Sequence, residues 1–121
     1  MAYQLNYFST SLTAGTDLST VTGPVFIATD ATNRAVVCDQ TTAPLGILEN
    51  SPPLANVAAV SYLGITKVTV DAQYSAGTFL KSNASGVGTT DSTGINGTLC
   101  RAITLEDSTA ANDIVAVRLV N

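Results

Sequence analysis

The chain has 121 residues, which suits one domain of ordinary size with a real core. Hydrophobic residues make up 45% but aromatics only 6%, so that core must be built from small aliphatics; charged residues are 12%, about half the usual ~25%. The net charge of −4, with five scattered cations (Arg34, Lys67, Lys81, Arg101 and Arg118), lacks the basic footprint of a nucleic-acid binder, and no run of apolar residues is long enough for a membrane-spanning helix.

Residues 1–22 form a distinct N-terminal segment, rich in Ser and Thr, with three aromatics close together. Tyr3, Leu5 and Tyr7 alternate with Gln4 and Asn6, a short period-two signal, and Phe8 follows. Two readings stand side by side: an edge strand plus loop of the main domain, or an extended arm that binds a neighbour by strand addition. Residues 23–121 form the domain proper. Val25–Ala28 reads as a strand, Asp30–Asn33 as a turn, and Ala35–Cys38 as the return strand of a hairpin. Pro44–Glu49 is a further short strand, and Asn50-Ser51-Pro52-Pro53 breaks the chain.

Val57 to Asp71 is the longest β-type run. Its even positions form a mostly apolar face, and Val60, Tyr62, Val68 and Val70 are expected in the core. Gly64 predicts a bulge, a bend or a close backbone approach, giving one long bent strand or two strands pivoting there. After Asp71 the pattern recurs. Thr78–Lys81 resembles Val25–Ala28, Asn83–Gly86 sits where Asp30–Asn33 sat, and Arg101–Asp107 echoes Leu45–Asn50 with Glu106 matched to Glu49. An internal duplication over about 25–64 and 78–121 follows from this. Residues 105–112 could hold one helical turn, capped by Asp107 or Ser108. The whole predicts an all-β fold: a single small β-barrel, β-tulip-like or sandwich domain with an extended N-terminal arm.

No catalytic set is legible. The chain has no His, so Ser–His–Asp and Cys–His arrangements are impossible. Glu49 and Glu106 are the only glutamates, and the aspartates lie mostly in turns, where they serve the backbone. No metal or calcium-loop spacing occurs, and no phosphate loop. We therefore expect no enzyme activity, cofactor or metal. Cys38 and Cys100 read as two buried small hydrophobes in preference to a disulfide. The N-terminus lacks the pattern of a signal peptide, so the protein is expected to be made in a cytoplasm and to stay there or leave it inside a larger particle.

A Ser/Thr-rich N-terminal segment leads into a His-free, Ala/Thr/Gly/Val-rich β domain. That domain carries LGILEN (Leu45 to Asn50), then VSYLGITKVTVDAQYSAGTFLKSNASG (Val60 to Gly86), and closes on DIVAVRLVN. In these features the chain resembles the capsid decoration, or cement, proteins of tailed double-stranded DNA phages, over most of its length from about Val25. The resemblance implies a β-barrel or β-tulip-like structural virion protein, a bacteriophage head-stabilisation protein on the outer capsid surface. It implies a homotrimer that bridges major capsid protein subunits and resists the internal pressure of packed DNA. Under that reading Tyr3, Leu5, Tyr7 and Phe8 are the partner contacts, with no direct nucleic-acid or membrane partner. The main alternative is a β-type tail or fibre-associated module that binds host-surface glycan; an adhesin or pilin-like subunit is a further one. The absence of Trp counts against glycan binding, and the missing signal peptide against an adhesin.

Overall fold

A computed structural model describes residues 5–91 and 99–120. Its described residues form nine strands and no helix: β1 (Leu5–Thr13), β2 (Phe26–Thr29), β3 (Ala35–Val37), β4 (Gly46–Leu48), β5 (Val57–Thr69), β6 (Phe79–Ser82), β7 (Gly88–Thr90), β8 (Ala102–Thr104) and β9 (Ile114–Leu119). All nine belong to one antiparallel sheet that curls into a half-barrel. Its main path runs β3-β2-β4-β5-β9-β8-β6-β7, and β1 pairs with β5 off that path.

That path repeats itself. In the first half, β2 pairs with β3 and with β4, β4 pairs with β5, and β5 pairs with β1. In the second half, β6 pairs with β7 and with β8, β8 pairs with β9, and β9 pairs with β5. The start of β5 is thus the last strand of one five-stranded unit, and its end is the first strand of the next. Parallel bridges join Ala14 to Ala35 in the first unit and Val70 to Gly88 in the second. Ala55 and Asn112 hold the same left-handed conformation ahead of β5 and β9, with φ of 69° and 70°. The structural repeat therefore includes β1, upstream of Val25, and residues 5–22 pair and pack with the rest of the domain. Ala14 and Leu18 are fully buried, and Leu12 and Val21 pack against the same cluster.

The two hairpin turns use one device. Asp30 Oδ1 accepts the backbone N–H groups of Thr32 and Arg34, both at 2.9 Å. Asn83 Oδ1 accepts those of Ser85 and Val87, at 2.8 and 3.0 Å. Asn33 and Gly86 take the positive φ that each turn needs, 62° and 81°. The difference is charge. The Arg34 N–H, with help from Thr32, pulls the Asp30 carboxyl down to about 2. A carboxyl depressed on folding stabilises the native state above its unfolded value near 4 and loses that contribution as pH falls through about 2. In an NMR titration, the Thr32 and Arg34 amides are expected to shift with a midpoint near 2. Those of Ser85 and Val87, bonded to an uncharged amide, should not follow. A Thr32 midpoint at or above the ordinary Asp value would overturn this.

Two apolar clusters fill the interior. One gathers Ala14, Leu18, Val25, Ile27, Leu48 and Val60; the other gathers Phe26, Ile47, Val68, Val70, Leu80 and Val117 with others. β5 supplies Val60 to the first and Val68 to the second, and Val70, just past its end, joins the second. Gly64, at φ 99°, sits between them, and the strand continues through it. Just ahead, the β1 register jumps from Phe8↔Leu63 to Ser9↔Ser61, leaving Tyr62 with no partner on that edge. This bulge corrects one expectation: Val60, Val68 and Val70 are fully buried, but Tyr62 is 40% exposed. The extra residue interrupts the period-two alternation locally: Tyr62 turns outward, while the even positions on either side of it, Val60 and Thr66 onward, stay inward. A second correction concerns residues 105–112, which form bends and turns and no helix. Asp113 Oδ2 accepts the Thr109 and Ala110 N–H groups there, closing a turn in place of a helical one.

The repeat also shows that equal local sequence meets unequal surroundings. Ile47 pairs with Phe26, and Ile103 pairs with Phe79 at the equivalent place. Phe26 is fully buried, whereas Phe79 is half-buried. Phe26→Ala is expected to cost about 3–5 kcal/mol in urea unfolding, and Phe79→Ala about 1–2 kcal/mol. Equal losses would show that both faces are sealed alike.

Candidate interaction surface

β1 has the makings of a docking edge. One side of it is paired with β5 from Leu5↔Ile65 to Thr13↔Val57. On its other side no described residue continues the ladder until Ala14 meets Ala35. Ser9, Thr10, Ser11 and Thr13 are exposed, so this part of the edge is lined with hydroxyls. An open row of N–H and C=O groups is a template for another strand, and a polar edge limits indiscriminate pairing. Beside it, the bulge turns Tyr62 and Leu63 outward, at 40% and 39% exposure. Aromatic and aliphatic groups next to an open edge supply the apolar part of an interface.

Of the four partner-contact residues expected from sequence, Tyr3 lies outside the described residues. Leu5, Tyr7 and Phe8 lie on β1, with Leu5 opposite Ile65 and Phe8 opposite Leu63 in the register. The strand therefore brings these three positions to one stretch of β5, Leu63 to Ile65, which spans Gly64. Tyr62 and Leu63 were not singled out from sequence as contacts. Their signal was Gly64, whose bulge potential bears on the exposure of the residues before it.

Elsewhere several polar side chains serve the fold. Glu49 Oε1 accepts the hydroxyls of Ser61 at 2.6 Å and Thr66 at 2.5 Å, tying β5 to the end of β4. The Tyr74 hydroxyl donates to Asp71 Oδ1 at 2.6 Å. Glu106 Oε2 accepts the Ala116 N–H, the same task that Asn50 Oδ1 performs for Ala59. Glu106 is thus the counterpart of Asn50, one place away from the match to Glu49 expected from sequence. β4 and β8 align Ile47 with Ile103, which puts Leu105 opposite Glu49 in the repeat. Paired glutamates at equivalent sites do not exist in this molecule.

A polar cleft of about 250 Å³ opens between Gly23, Pro24, Glu49, Ser51 and Lys67. Beyond Gly23 lies an apolar hollow of about 300 Å³, lined by Val21, Val25, Val87 and Ile114 with Thr69 at its base. Thr69 Oγ1 is buried there without a hydrogen-bond partner among the described residues. Neither space brings a nucleophile against a base. Among the described residues, no three His, Cys, Asp or Glu side chains cluster as a metal site. Cys38 and Cys100 are free, buried thiols, and burial raises the pKa of both. They fill space and stay protonated at neutral pH.

Compared with protein-family models and with curated proteins, the chain matches none.

Proposed function

We propose that this chain is a structural virion protein of a tailed double-stranded DNA phage. It binds the outer surface of the mature head and clamps neighbouring major capsid protein subunits, stabilising the shell against internal DNA pressure. The sequence resemblance motivates the reading, and the open edge of β1 beside Tyr62 and Leu63 carries it. Strand addition at such an edge draws its affinity from backbone hydrogen bonds and makes few demands on side chains. That suits a surface rich in hydroxyls and poor in charge. Several modest contacts, made at once by associated copies in a homotrimer, add up through avidity. The protein would be made in the host cytoplasm and act on the virion surface.

The test is a pelleting assay with purified protein and undecorated heads from its own source, expanded and unexpanded. Saturable binding to expanded heads, at a fixed ratio to capsid protein, is the expected result. Binding to neither form would overturn the reading. Deleting Met1 to Leu12 is a poor probe of the contacts, because it removes most of β1 and the core side chain of Leu12. Tyr3→Ser combined with Tyr7→Ser keeps the strand and is expected to weaken binding at least about tenfold if these residues are contacts.

A further inference from the structure

Strand pairing fixes which residues share a face of the second unit. Ile65 is opposite Arg118, Arg118 is opposite Ile103, and Ile103 is opposite Phe79. Directly paired residues project on the same side of a sheet. These four therefore form one row across β5, β9, β8 and β6. Lys67 and Lys81 flank the row, two places along from Ile65 and from Phe79. Arg118 is exposed, and the other five are half-buried. No carboxylate occupies a strand position on this face. Among the described residues none of Lys67, Lys81 and Arg118 has an ion pair. The opposite face of the same strands carries Val68, Leu80, Ala102 and Val117 into the core.

The first unit has the same row: Ser9, Ser61, Ile47 and Phe26. There Ser61, Ile47 and Phe26 are fully buried, and Ile47 and Phe26 belong to the apolar cluster filled by the second unit. The equivalent Ile103 and Phe79 are only half-buried and join neither apolar cluster of the described residues, and Arg118 stands where the first unit has the buried Ser61. The same sheet surface is thus sealed within the chain in one unit and open, with three cations, in the other.

We propose that this open face of the second unit, centred on Arg118, Ile103 and Lys67, docks a second copy of the same chain. The complementary charge is on the molecule itself. Nine carboxylates outnumber five cations, and Asp17, Asp30, Asp39, Asp71, Asp107 and Asp113 all lie in loops outside the strands that form this face. Hydrogen bonds from neighbouring groups lower the pKa of Asp17, Asp30, Asp39 and Asp113, so these stay ionised. Face-to-face pairing of two identical cationic surfaces would set Arg118 near Arg118 and is disfavoured. The contact is therefore heterologous, cationic face to acidic loops, and closes as a ring or continues as a chain. This deepens the self-association in the function proposed above. Its test uses the purified chain alone, so its failure and a failure of head binding are separate results.

Analytical ultracentrifugation of the full chain, from about 10 µM to about 1 mM, spans the affinities of weak to moderate protein contacts. At about 50 mM salt the expected mass exceeds the 12.4 kDa monomer and falls toward it at about 500 mM, where charges are screened. Lys67→Glu combined with Arg118→Glu is expected to raise the dissociation constant at least about tenfold. The neutral pair Lys67→Gln with Arg118→Gln should fall between, and thermal melting checks that each variant is folded. A wild-type mass that stays monomeric throughout, or folded variants that associate as the wild type does, would overturn the proposal.

Discussion

Val68→Asp is expected to abolish the cooperative unfolding transition of the native domain at neutral pH. Val68 is fully buried on β5, paired with Val115, and its cluster holds Phe26, Ile47, Leu80, Val115 and Val117. None of these can donate a hydrogen bond to a carboxylate from its side chain. The backbone groups around it are already committed to the β5–β9 ladder. An unpaired buried charge costs far more than a lost methyl contact, so the introduced carboxyl would protonate or the domain would open. The transfer and cavity losses come on top, and the sum of at least about 4–5 kcal/mol rivals the whole stability of a small domain. Circular dichroism under increasing urea reads the result. The introduced group has a raised folded-state pKa, so the variant should recover stability as pH falls below that value. A wild-type urea midpoint at pH 7 would show that Val68 does not face the core.

Gly46→Ala should be nearly as damaging, for a different reason. Gly46 lies on β4 against β2, with β5 crossing close beside it. A Cβ there would collide with the carbonyl oxygen of Ser61 and approach its carbonyl carbon to 2.8 Å. The obstacle is backbone, pinned by the β1–β5 and β4–β5 pairing, and cannot rotate away as a side chain would. Overpacking of this kind costs about 3 kcal/mol or more, at the upper end of its usual range. The repeat supplies a control. Ala102 holds the equivalent place on β8 and pairs regularly with Leu119. Gly46 would by analogy face Tyr62, which the bulge has displaced. Ala102→Gly should therefore cost only about 1 kcal/mol, from a lost methyl and a freer unfolded chain. Urea midpoints of the two variants decide the matter; a near-neutral Gly46→Ala would mean that β4 and β5 can separate without penalty.

Much of the architecture is legible from local chemistry. Short β-branched runs between Gly, Pro, Asn and Asp point to strands, and Asp30 and Asn83 mark their turns because a side-chain oxygen two to four residues from an N–H closes a loop without tertiary help. The hairpins repeat at an offset of 53 (79 − 26), visible by eye because the turn residues recur. The offset changes to 56 (103 − 47) at β4 and β8, and there sequence matching slipped by one. An acidic residue near a strand end can sit at either of two adjacent positions, and only the ladder says which. The candidate contacts on β1 were partly legible, because alternation marks a strand; its open outer edge was not, since pairing is a property of two strands.

What the amino-acid sequence determined by itself is the all-β character, the turn positions, the long β5 run and the small-aliphatic core, all set within a few residues by propensity and side-chain-to-backbone bonding. The tertiary structure alone decided which side of each strand is inside. Ile47 and Phe26 vanish from solvent while Ile103 and Phe79 stay half-open, though each pair sits in the same local ladder. Tyr62 turns outward and Val60 inward across one bulge. Burial of a sheet's second face depends on what packs over it from a distant part of the chain. No local pattern encodes that, because the same residues satisfy their backbone equally well under a second layer or beneath an open surface.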